Sequence, residues 1–236
     1  MKTSHFDIIV VGAGHAGIEA ALSSARLGMK TLVVTTNVSR IGFMSCNPSI
    51  GGLAKGHMVR EVDVLGGEMG KAADATCIQF KRLNARKGPA VRGSRAQCDK
   101  DLYSSYMQNI FRGQENLEVI ESEVKEILIE NSKCVGVSLE DSSRISSRAV
   151  IITTGTFMRG VMYMGLEQQQ GGRVGDKATV GISDQLRELG MQVHRLKTGT
   201  PPRLHRDSID WSKTIPEHGD AVFYPFSFYG ERNLRL

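Results

Sequence analysis

The sequence predicts an α/β fold in which a parallel sheet carries a dinucleotide site near the N-terminus. Three features of residues 7–37 support this prediction. The apolar run Ile8–Val11 is typical of a buried parallel strand. The pattern G-x-G-x-x-G follows directly at residues 12–17. An Ala- and Leu-rich segment with helical spacing and a second β-rich run, Thr31–Val34, complete a stretch of about 30 residues, which is the length of a βαβ unit.

The three glycines of this pattern have separate mechanical roles. Gly12 allows the tight turn out of the strand, Gly14 lets the backbone approach a pyrophosphate, and Gly17 lets the helix pack close to the strand. The N–H groups and the positive dipole end of the helix then face the phosphate charge. The pattern alone is weak evidence, but its strand–turn–helix–strand context favours a dinucleotide site over an accidental glycine-rich turn.

Length and composition narrow the class of protein. A chain of 236 residues with 40% hydrophobic residues can form one large or two small domains. No apolar segment approaches the roughly 20 residues that span a bilayer, and the N-terminus runs straight into the first strand, which predicts no signal peptide. The cysteines form no C-x-x-C pair, which is typical of a reducing cytoplasm, and no cluster has metal-ligand spacing. They are Cys46, Cys77, Cys98 and Cys134.

The residues after the second strand depart from the usual NAD pattern. Thr35 stands where a dinucleotide-binding unit usually places an Asp or Glu that accepts hydrogen bonds from the ribose. Thr35 or Asn37 can still bond a hydroxyl. Residues 39–56 then read as a long loop without secondary structure, which is uncommon unless the loop is functional or disordered, and its Met, Phe and Ile content argues against disorder. Residues 57–66 predict a helix.

A basic stretch follows at residues 80–95, which contain no acid. Such a stretch is either a solvated face or a contact for an anionic partner, and its lack of counter-charge favours the anionic partner. Residues 194–206 form a second acid-free basic stretch. The pattern from 95 to 111 is helical. The cations of the first stretch are Lys81, Arg82, Arg86, Lys87, Arg92 and Arg95.

The second half of the chain predicts an antiparallel meander and a further buried strand. Short strands are expected at 117–121, 123–130, 133–140 and 143–147, and residues 149–156 form an apolar strand that ends in T-T-G-T. Residues 183–189 predict a helix. This layout resembles the FAD-binding domain of the glutathione-reductase type, in which a meander replaces a crossover helix. The resemblance implies a Rossmann-like fold that binds FAD rather than NAD.

Four loop motifs narrow the resemblance. They are SCNPSIGG at 45–52, LNARKGPAVR at 83–92, GGRVGD at 171–176 and RLKTGTPPR at 195–203. Together they look like the signatures of the MnmG (GidA) family of FAD-dependent tRNA-modifying enzymes, which is similar in lacking an acid after the second strand. Its members are much longer. The resemblance therefore implies an N-terminal portion, with the first segment of the FAD domain at 1–199 and the start of an inserted NADH- and substrate-linked domain at 200–236.

The family resemblance also implies an activity. Its members add a (carboxymethyl)aminomethyl group at C5 of the wobble uridine of tRNA, together with an MnmE-type GTPase in a heterotetramer. Methylene-tetrahydrofolate supplies the one-carbon unit, NADH reduces FAD, and glycine or ammonia supplies the nitrogen. A cytoplasmic homodimer without membrane attachment is expected. The alternatives are a folate- and FAD-dependent tRNA methyltransferase, another FAD oxidoreductase, or an inactive nucleotide-binding fragment.

The same resemblance assigns cofactor-binding residues. The glycine turn would hold the pyrophosphate, Val124 would contact the adenine side through its backbone, and Thr179 would contact FAD. Thr154 and Gly155 are expected close to the cofactor. The turn consists of Gly12, Ala13, Gly14, His15, Ala16 and Gly17.

Reactive and substrate-binding residues are expected in two loops. Cys46 is the candidate nucleophile, because a thiolate that adds to C6 of uracil activates C5, and nearby N–H groups and Lys55 can lower its pKa. The alternative is a small buried loop residue. The candidates for folate carboxylates, flavin or tRNA phosphate are Asn84, Arg86, Lys87 and Arg92.

Overall fold

The computed structural model describes residues 5–45, 47–175, 178–199, 201–202 and 204–229. In chain order, the elements found there are β1 (His5–Val11), α1 (His15–Arg26), β2 (Thr31–Thr35), β3 (Ser49–Gly51), α2 (Lys55–Val64), α3 (Met69–Ala75), β4 (Cys77–Leu83), β5 (Gly93–Cys98), α4 (Lys100–Gly113), β6 (Leu117–Glu121), β7 (Val124–Glu130), β8 (Lys133–Leu139), β9 (Arg144–Ile152), β10 (Val161–Met164), β11 (Glu167–Gln170) and α5 (Ile182–Glu188). None of these described helices is long and apolar enough to cross a bilayer.

The chain divides into two compact units. The first unit comprises Met1–Phe43 and Ser104–Arg195, and the second comprises Met44–Tyr103 and Leu196–Leu236. The second unit is thus an insertion between β2 and the body of α4, joined by the C-terminal segment. The domain boundary expected after residue 199 stays a prediction.

The first unit contains a six-stranded sheet in the order β6-β2-β1-β9-β8-β7. Strands β6, β2, β1 and β9 run parallel, and β7, β8 and β9 form an antiparallel meander. The predicted α/β class, with its Rossmann-like parallel sheet and meander, is confirmed. The predicted place of residues 117–121 in the meander is wrong. They form a parallel edge strand instead, because α4 provides the crossover that parallel strands require.

Strand β9 belongs to both parts of this sheet. Its first residues pair with β8 in an antiparallel ladder, and its remaining residues pair with β1 in a parallel ladder. The sequence predicts two strands here, at 143–147 and 149–156. The structure joins them into one nine-residue strand that ends at Ile152. Strand β9 therefore connects the meander directly to β1, the strand that precedes the glycine turn.

Both faces of the central strands are buried, which explains their unbroken apolar sequence. Ile9 and Val10, on opposite faces of β1, are completely buried. One face joins a cluster that includes Val34 and Val137. Helix α1 packs against β1 and β2 and buries one face that includes Leu22. This arrangement is typical of parallel strands that are covered on both sides.

The second unit is built on a three-stranded antiparallel sheet in the order β3-β5-β4, packed against α2 and α3. The prediction of a structureless loop at 39–56 is therefore partly wrong, because β3 lies within it. The helix expected at 57–66 is found at Lys55–Val64. The helix expected from residue 95 begins only at residue 100, because Asp99 Oδ1 accepts the N–H groups of Asp101 and Leu102 and so caps α4.

Two buried carboxylates hold the end of the described chain in the second unit. Asp74 accepts the backbone N–H groups of Phe226 and Ser227, each at 2.8 Å, and Asp63 accepts that of Phe228 at 2.8 Å. The Phe226 side chain is completely buried. These N–H groups lie outside any strand, so the carboxylates satisfy donors that would otherwise be buried without an acceptor.

Asp74 predicts a pH dependence of stability. Burial raises its pKa from 3.8 to about 6, against the opposing effect of its two N–H donors. A carboxyl group with a raised folded-state pKa contributes stability that is fully present below its unfolded pKa and is lost as the pH rises through the folded value. Between about pH 4 and pH 7, the free energy of unfolding should therefore fall more for the wild type than for Asp74→Asn.

Urea denaturation at both pH values measures this difference. Asp101→Asn, on an exposed face of α4, serves as the matched control and should keep the wild-type pH profile. Equal slopes for the wild type and Asp74→Asn would contradict the prediction.

Candidate functional site

The candidate site lies in the first unit, at the carboxyl ends of its parallel strands. From β1 the chain proceeds to β2 on one side, whereas β9 lies on the other side of β1. The strand order therefore reverses at β1, and open α/β sheets bind ligands in the crevice beyond such a switch point. Gly12 follows β1, Thr153 follows β9 and Thr35 ends β2.

The junction between the glycine turn and β9 leaves no room for larger residues. Gly12 has a φ of +103°, and a Cβ there would lie 2.7 Å from Thr153 O. At Gly17 a Cβ would lie 2.0 Å from Gly12 O and 2.7 Å from Thr153 Oγ1. Thr153 Oγ1 lies 2.9 Å from Val11 O and 3.2 Å from Gly12 O, so its hydroxyl links β9 to the turn. Sequence reasoning missed Thr153, because only the strand register places it there.

Gly14 differs from these two glycines because it faces open space. A Cβ at Gly14 would meet no atom within 4 Å, and its backbone is extended. It is the N-cap of α1, where no side chain caps the helix and no acid occupies the first turn. The positive end of α1 thus faces open space, where an anion can approach its N–H groups. This turn fits the phosphates of a dinucleotide.

His15 adds no positive charge to this turn. Burial lowers its pKa, so the imidazole is neutral at pH 7. The attraction for an anion therefore comes from backbone N–H groups and from the helix dipole, which are fixed in place. The adjacent Ala16 is exposed.

The turn after β9 brings two further predicted residues together. Phe157 N–H donates to Thr154 O at 3.2 Å, and Gly155 has a φ of +57°. Thr179 N–H donates to Phe157 O, and Arg159 N–H donates to Thr179 O, both at 2.9 Å. Thr154, Gly155 and Thr179 therefore lie in one hydrogen-bonded set of loops next to the glycine turn.

Thr179 also carries an unpartnered polar atom. Its Oγ1 is buried and has no hydrogen-bond partner among the described residues. Buried hydroxyl groups in proteins are nearly always satisfied, so an orphan in a site loop points to a ligand atom. The contact between Thr179 and FAD that the family resemblance implies stays a prediction.

Val124 lies at the start of β7, after the turn that follows β6. It is buried and lies opposite Leu139 of β8. Ser122 N–H donates to Thr35 O at 2.9 Å, which holds the segment before β7 against the end of β2. The backbone at Val124 thus enters the meander beside the end of β2.

An acid stands at the end of the strand next to β2. Glu121 ends β6 as the register partner of Thr35, and its Oε2 accepts Val38 N–H at 2.8 Å. Asn37 Oδ1, in contrast, is engaged by Ser39 N–H at 2.9 Å in a local turn. Sequence reasoning missed Glu121, because the pairing of β6 with β2 has no local signal.

An arginine of the third loop motif is held between two rings. The guanidinium carbon of Arg173 lies 4.6 Å from the Phe43 ring centroid and 5.5 Å from that of Phe157. Arg40 also lies 4.5 Å from the Phe43 ring. These cation–π contacts tie the loop at 171–175 to the turn after β9 within the first unit.

The predicted substrate-binding residues lie in the second unit, in the loop between β4 and β5. Asn84 has a φ of +55°, and its Nδ2 donates to Val91 O at 3.1 Å. Arg92 Nε donates to Lys87 O at 2.9 Å. Asn84 and Arg92 therefore close the loop, whereas the side chains of Arg86 and Lys87 are exposed.

The basic stretch at 80–95 is not without counter-charge in the folded chain. Lys81 forms an ion pair with Glu217, and Asp220 accepts Arg82 N–H at 2.8 Å. The acids come from a distant part of the sequence, so the local pattern does not reveal them. Arg86 and Lys87, in the loop, are the cations of this stretch whose side chains are exposed.

Cys46 lies outside the described residues, and its predicted role as a nucleophile stays a prediction. Among the described residues, no group of three or more His, Cys, Asp or Glu side chains could hold a metal ion.

The two kinds of glycine in the turn predict different stabilities. Gly17→Ala places a Cβ 2.0 Å from Gly12 O and should lower the free energy of unfolding by about 2–3 kcal/mol, because a backbone clash cannot relax by rotating a side chain. Gly14→Ala should change it by less than about 1 kcal/mol. Urea denaturation of the ligand-free chain measures both values. Similar losses in the two variants would contradict this view of the turn.

Comparisons of the sequence with known proteins all match the same protein family. The family described as "Glucose inhibited division protein A" matches residues 7–235. The tRNA uridine 5-carboxymethylaminomethyl modification enzyme MnmG of Bdellovibrio bacteriovorus is 65% identical over 100% of this chain and 37% of its own length. The protein of the same name from Pelobacter propionicus is 55% identical over 96% of this chain and 36% of its own length.

Solved structures agree with these relatives. GidA of Aquifex aeolicus superimposes with a TM-score of 0.93 at 48% identity, over 98% of this chain and 38% of that one. The GidA-related protein of Thermus thermophilus has a TM-score of 0.58 at 16% identity, over 79% and 69%, and shares the fold. This chain spans little more than a third of the length of its curated relatives.

Proposed function

The chain belongs to the glucose inhibited division protein A (GidA) family, and we propose on that premise that it contributes the FAD-binding part of a tRNA-modifying enzyme. The observation that carries the proposal is the glycine turn at the switch point, where Gly14 faces open space at an uncapped helix start. The names of its relatives support tRNA uridine as the substrate.

In this proposal the residues of the first unit hold FAD, which supplies the redox chemistry when bound. The backbone of Gly12–Gly17 binds the pyrophosphate, and the Val124 backbone contacts the adenine side. The orphaned Thr179 hydroxyl gains a partner in the cofactor. The turn at Thr154 and Gly155 lies beside it.

Glu121 extends the same proposal to the adenosine ribose. Its carboxylate is fixed by Val38 N–H at the end of the strand next to Thr35. A carboxylate at this edge of the sheet is the group that accepts hydrogen bonds from ribose hydroxyls in dinucleotide-binding units. Glu121 therefore takes the place of the acid that is absent at Thr35.

The reaction we propose adds a (carboxymethyl)aminomethyl group to C5 of the wobble uridine. Cys46 is the proposed nucleophile, NADH the reductant and methylene-tetrahydrofolate the one-carbon donor. Asn84, Arg86, Lys87 and Arg92 are proposed to bind anionic groups of folate or tRNA, and the exposed Arg86 and Lys87 suit the phosphate backbone best. An MnmE-type GTPase, a homodimer and a cytoplasmic location complete the proposal.

FAD binding tests the cofactor. Titration of the ligand-free chain with FAD, followed by flavin fluorescence, should show binding that Gly14→Ala weakens by roughly 10-fold or more, because a Cβ occupies the space of the pyrophosphate. Gly113→Ala is the matched control, since this glycine also faces open space but lies at the end of α4. Equal affinity of the wild type and Gly14→Ala would place the cofactor elsewhere.

A chimaera tests the reaction. This chain replaces the corresponding 37% of the Bdellovibrio bacteriovorus relative, to which it is 65% identical, in a strain without its own enzyme. Mass spectrometry of wobble-position uridines should then show the 5-carboxymethylaminomethyl group. The Gly14→Ala chimaera should leave them unmodified, because its turn excludes the phosphates.

Two results are informative against the proposal. Wobble uridines that stay unmodified with a soluble, FAD-loaded chimaera would contradict the reaction. Uridines that carry a C5 methyl group instead would favour a tRNA methyltransferase.

A further inference from the structure

Two cysteines face each other across the sheet of the second unit. Cys77 is the first residue of β4 and Cys98 is the last residue of β5, and their Cα atoms are register partners in the antiparallel ladder. Neither residue belongs to the proposed cofactor site. The proposed cofactor site therefore does not explain this pair.

The ladder hydrogen bonds show which kind of pair this is. Asp99 N–H donates to Thr76 O at 2.8 Å, one position beyond the pair. Cys98 N–H points the other way and donates to Pro48 O at 2.7 Å. Cys77 and Cys98 thus form a non-hydrogen-bonded pair, in which the Cα atoms are about 4.5 Å apart and the side chains are closest. A disulfide accepts Cα separations from about 4.4 to 6.8 Å.

Both sulfur atoms lie on the face of the sheet that packs against α3. Paired residues of neighbouring strands project to the same face. Cys98 Sγ lies 3.8 Å from Ala73 O of α3. The Asp74 carboxylate of the same helix acts electrostatically on both thiols, and Cys77 also acts on Cys98. The register thus places the two cysteines opposite each other, and Cys98 Sγ lies against α3.

We propose that Cys77 and Cys98 form an oxidation site, in which a hydroperoxide converts the two thiols into a disulfide that ties the start of β4 to the end of β5. In the first step, the Cys77 sulfur attacks one oxygen of hydrogen peroxide, the O–O bond breaks, and a sulfenic acid and water form. In the second step, the Cys98 sulfur attacks the Cys77 sulfur, the S–O bond breaks, and a second water leaves. Two thiols are oxidised by two electrons, and one peroxide is reduced to two waters.

The order of the steps follows from exposure. Cys77 is half-buried, whereas only 1% of Cys98 is exposed, so peroxide reaches Cys77 first. Burial, with a smaller contribution from the nearby Asp74 charge, raises the pKa of Cys77 to about 11 and that of Cys98 to about 12. The thiols are therefore mostly protonated at neutral pH, and because the thiolate is the nucleophile, their oxidation by peroxide should become faster as the pH rises.

The disulfide would constrain the base of the β4–β5 hairpin. The tip of this hairpin is the loop that exposes Arg86 and Lys87. A cross-link at the base closes a covalent ring that contains the loop and lowers the conformational entropy of the unfolded chain. Oxidation therefore stabilises the second unit and limits the positions open to the two cations.

Peptide mapping under non-reducing conditions tests the site. The full 236-residue chain is treated with hydrogen peroxide, free thiols are alkylated, and the peptides are analysed by mass spectrometry. We expect one cross-linked peptide pair joining Cys77 to Cys98, which dithiothreitol separates. Cys134, which lies on β8 of the other unit, should stay alkylated or become a sulfenic acid without a partner. The oxidised chain should also unfold at a higher temperature than the reduced chain, and dithiothreitol should reverse the increase.

Matched variants complete the test. Cys77→Ala should abolish both the cross-link and the reversible increase in melting temperature, and Cys134→Ala should keep both. Cys98→Ser gives a second measurement in case Cys77→Ala alters the fold, since Cys77 should then be labelled by dimedone, whereas in the wild type it should form the disulfide instead. Separate alkylation of Cys77 and Cys98 after peroxide treatment, or a cross-link from either residue to Cys46 or Cys134, would overturn the proposal.

Discussion

The first unit depends on one close contact, the approach of α1 to the sheet at Gly17. A Cβ there would lie only 2.0 Å from Gly12 O, and the Thr153 hydroxyl bonds the carbonyls of Val11 and Gly12. This contact fixes the start of α1 at the reversal point of the strand order. Only at that point can the helix dipole, the open face at Gly14 and the loop after β9 act on the same ligand. The site is therefore a consequence of backbone packing, and its side chains add little charge.

The local parts of this arrangement could be predicted from the sequence, and the long-range parts could not. The run Ile8–Val11, the glycine pattern and the meander each have a short period or a fixed spacing, so they predicted the α/β class and the position of the glycine turn. Glu121 and Thr153 act through strand register, which depends on which strands pair in the folded sheet. The same reason explains the error at residues 117–121, whose alternating pattern fits a parallel edge strand as well as a meander.

Charge shows the same difference between local and long-range information. The stretch at 80–95 has no acid of its own, which favours an anionic partner. In the folded second unit, Glu217 and Asp220 reach back to Lys81 and to the backbone of Arg82. The local pattern therefore overstated the free positive charge of the stretch, whereas the side chains of Arg86 and Lys87 lie exposed in its loop.

Buried acids stabilise the second unit, whereas close backbone packing stabilises the first. Asp63 and Asp74 accept three N–H groups from residues 226–228, which have no strand to pair with. Burial raises the pKa of Asp74 to about 6. This cost is offset because Asp74 orders an aromatic segment that contains the fully buried Phe226. Carboxylates at these positions therefore hold the chain together across more than 150 residues of sequence, as the separations of 152 and 153 residues for the Asp74 bonds show. Helix α3 therefore contacts both this segment and β5, because Asp74 accepts the N–H groups of Phe226 and Ser227 and Ala73 O lies 3.8 Å from Cys98 Sγ.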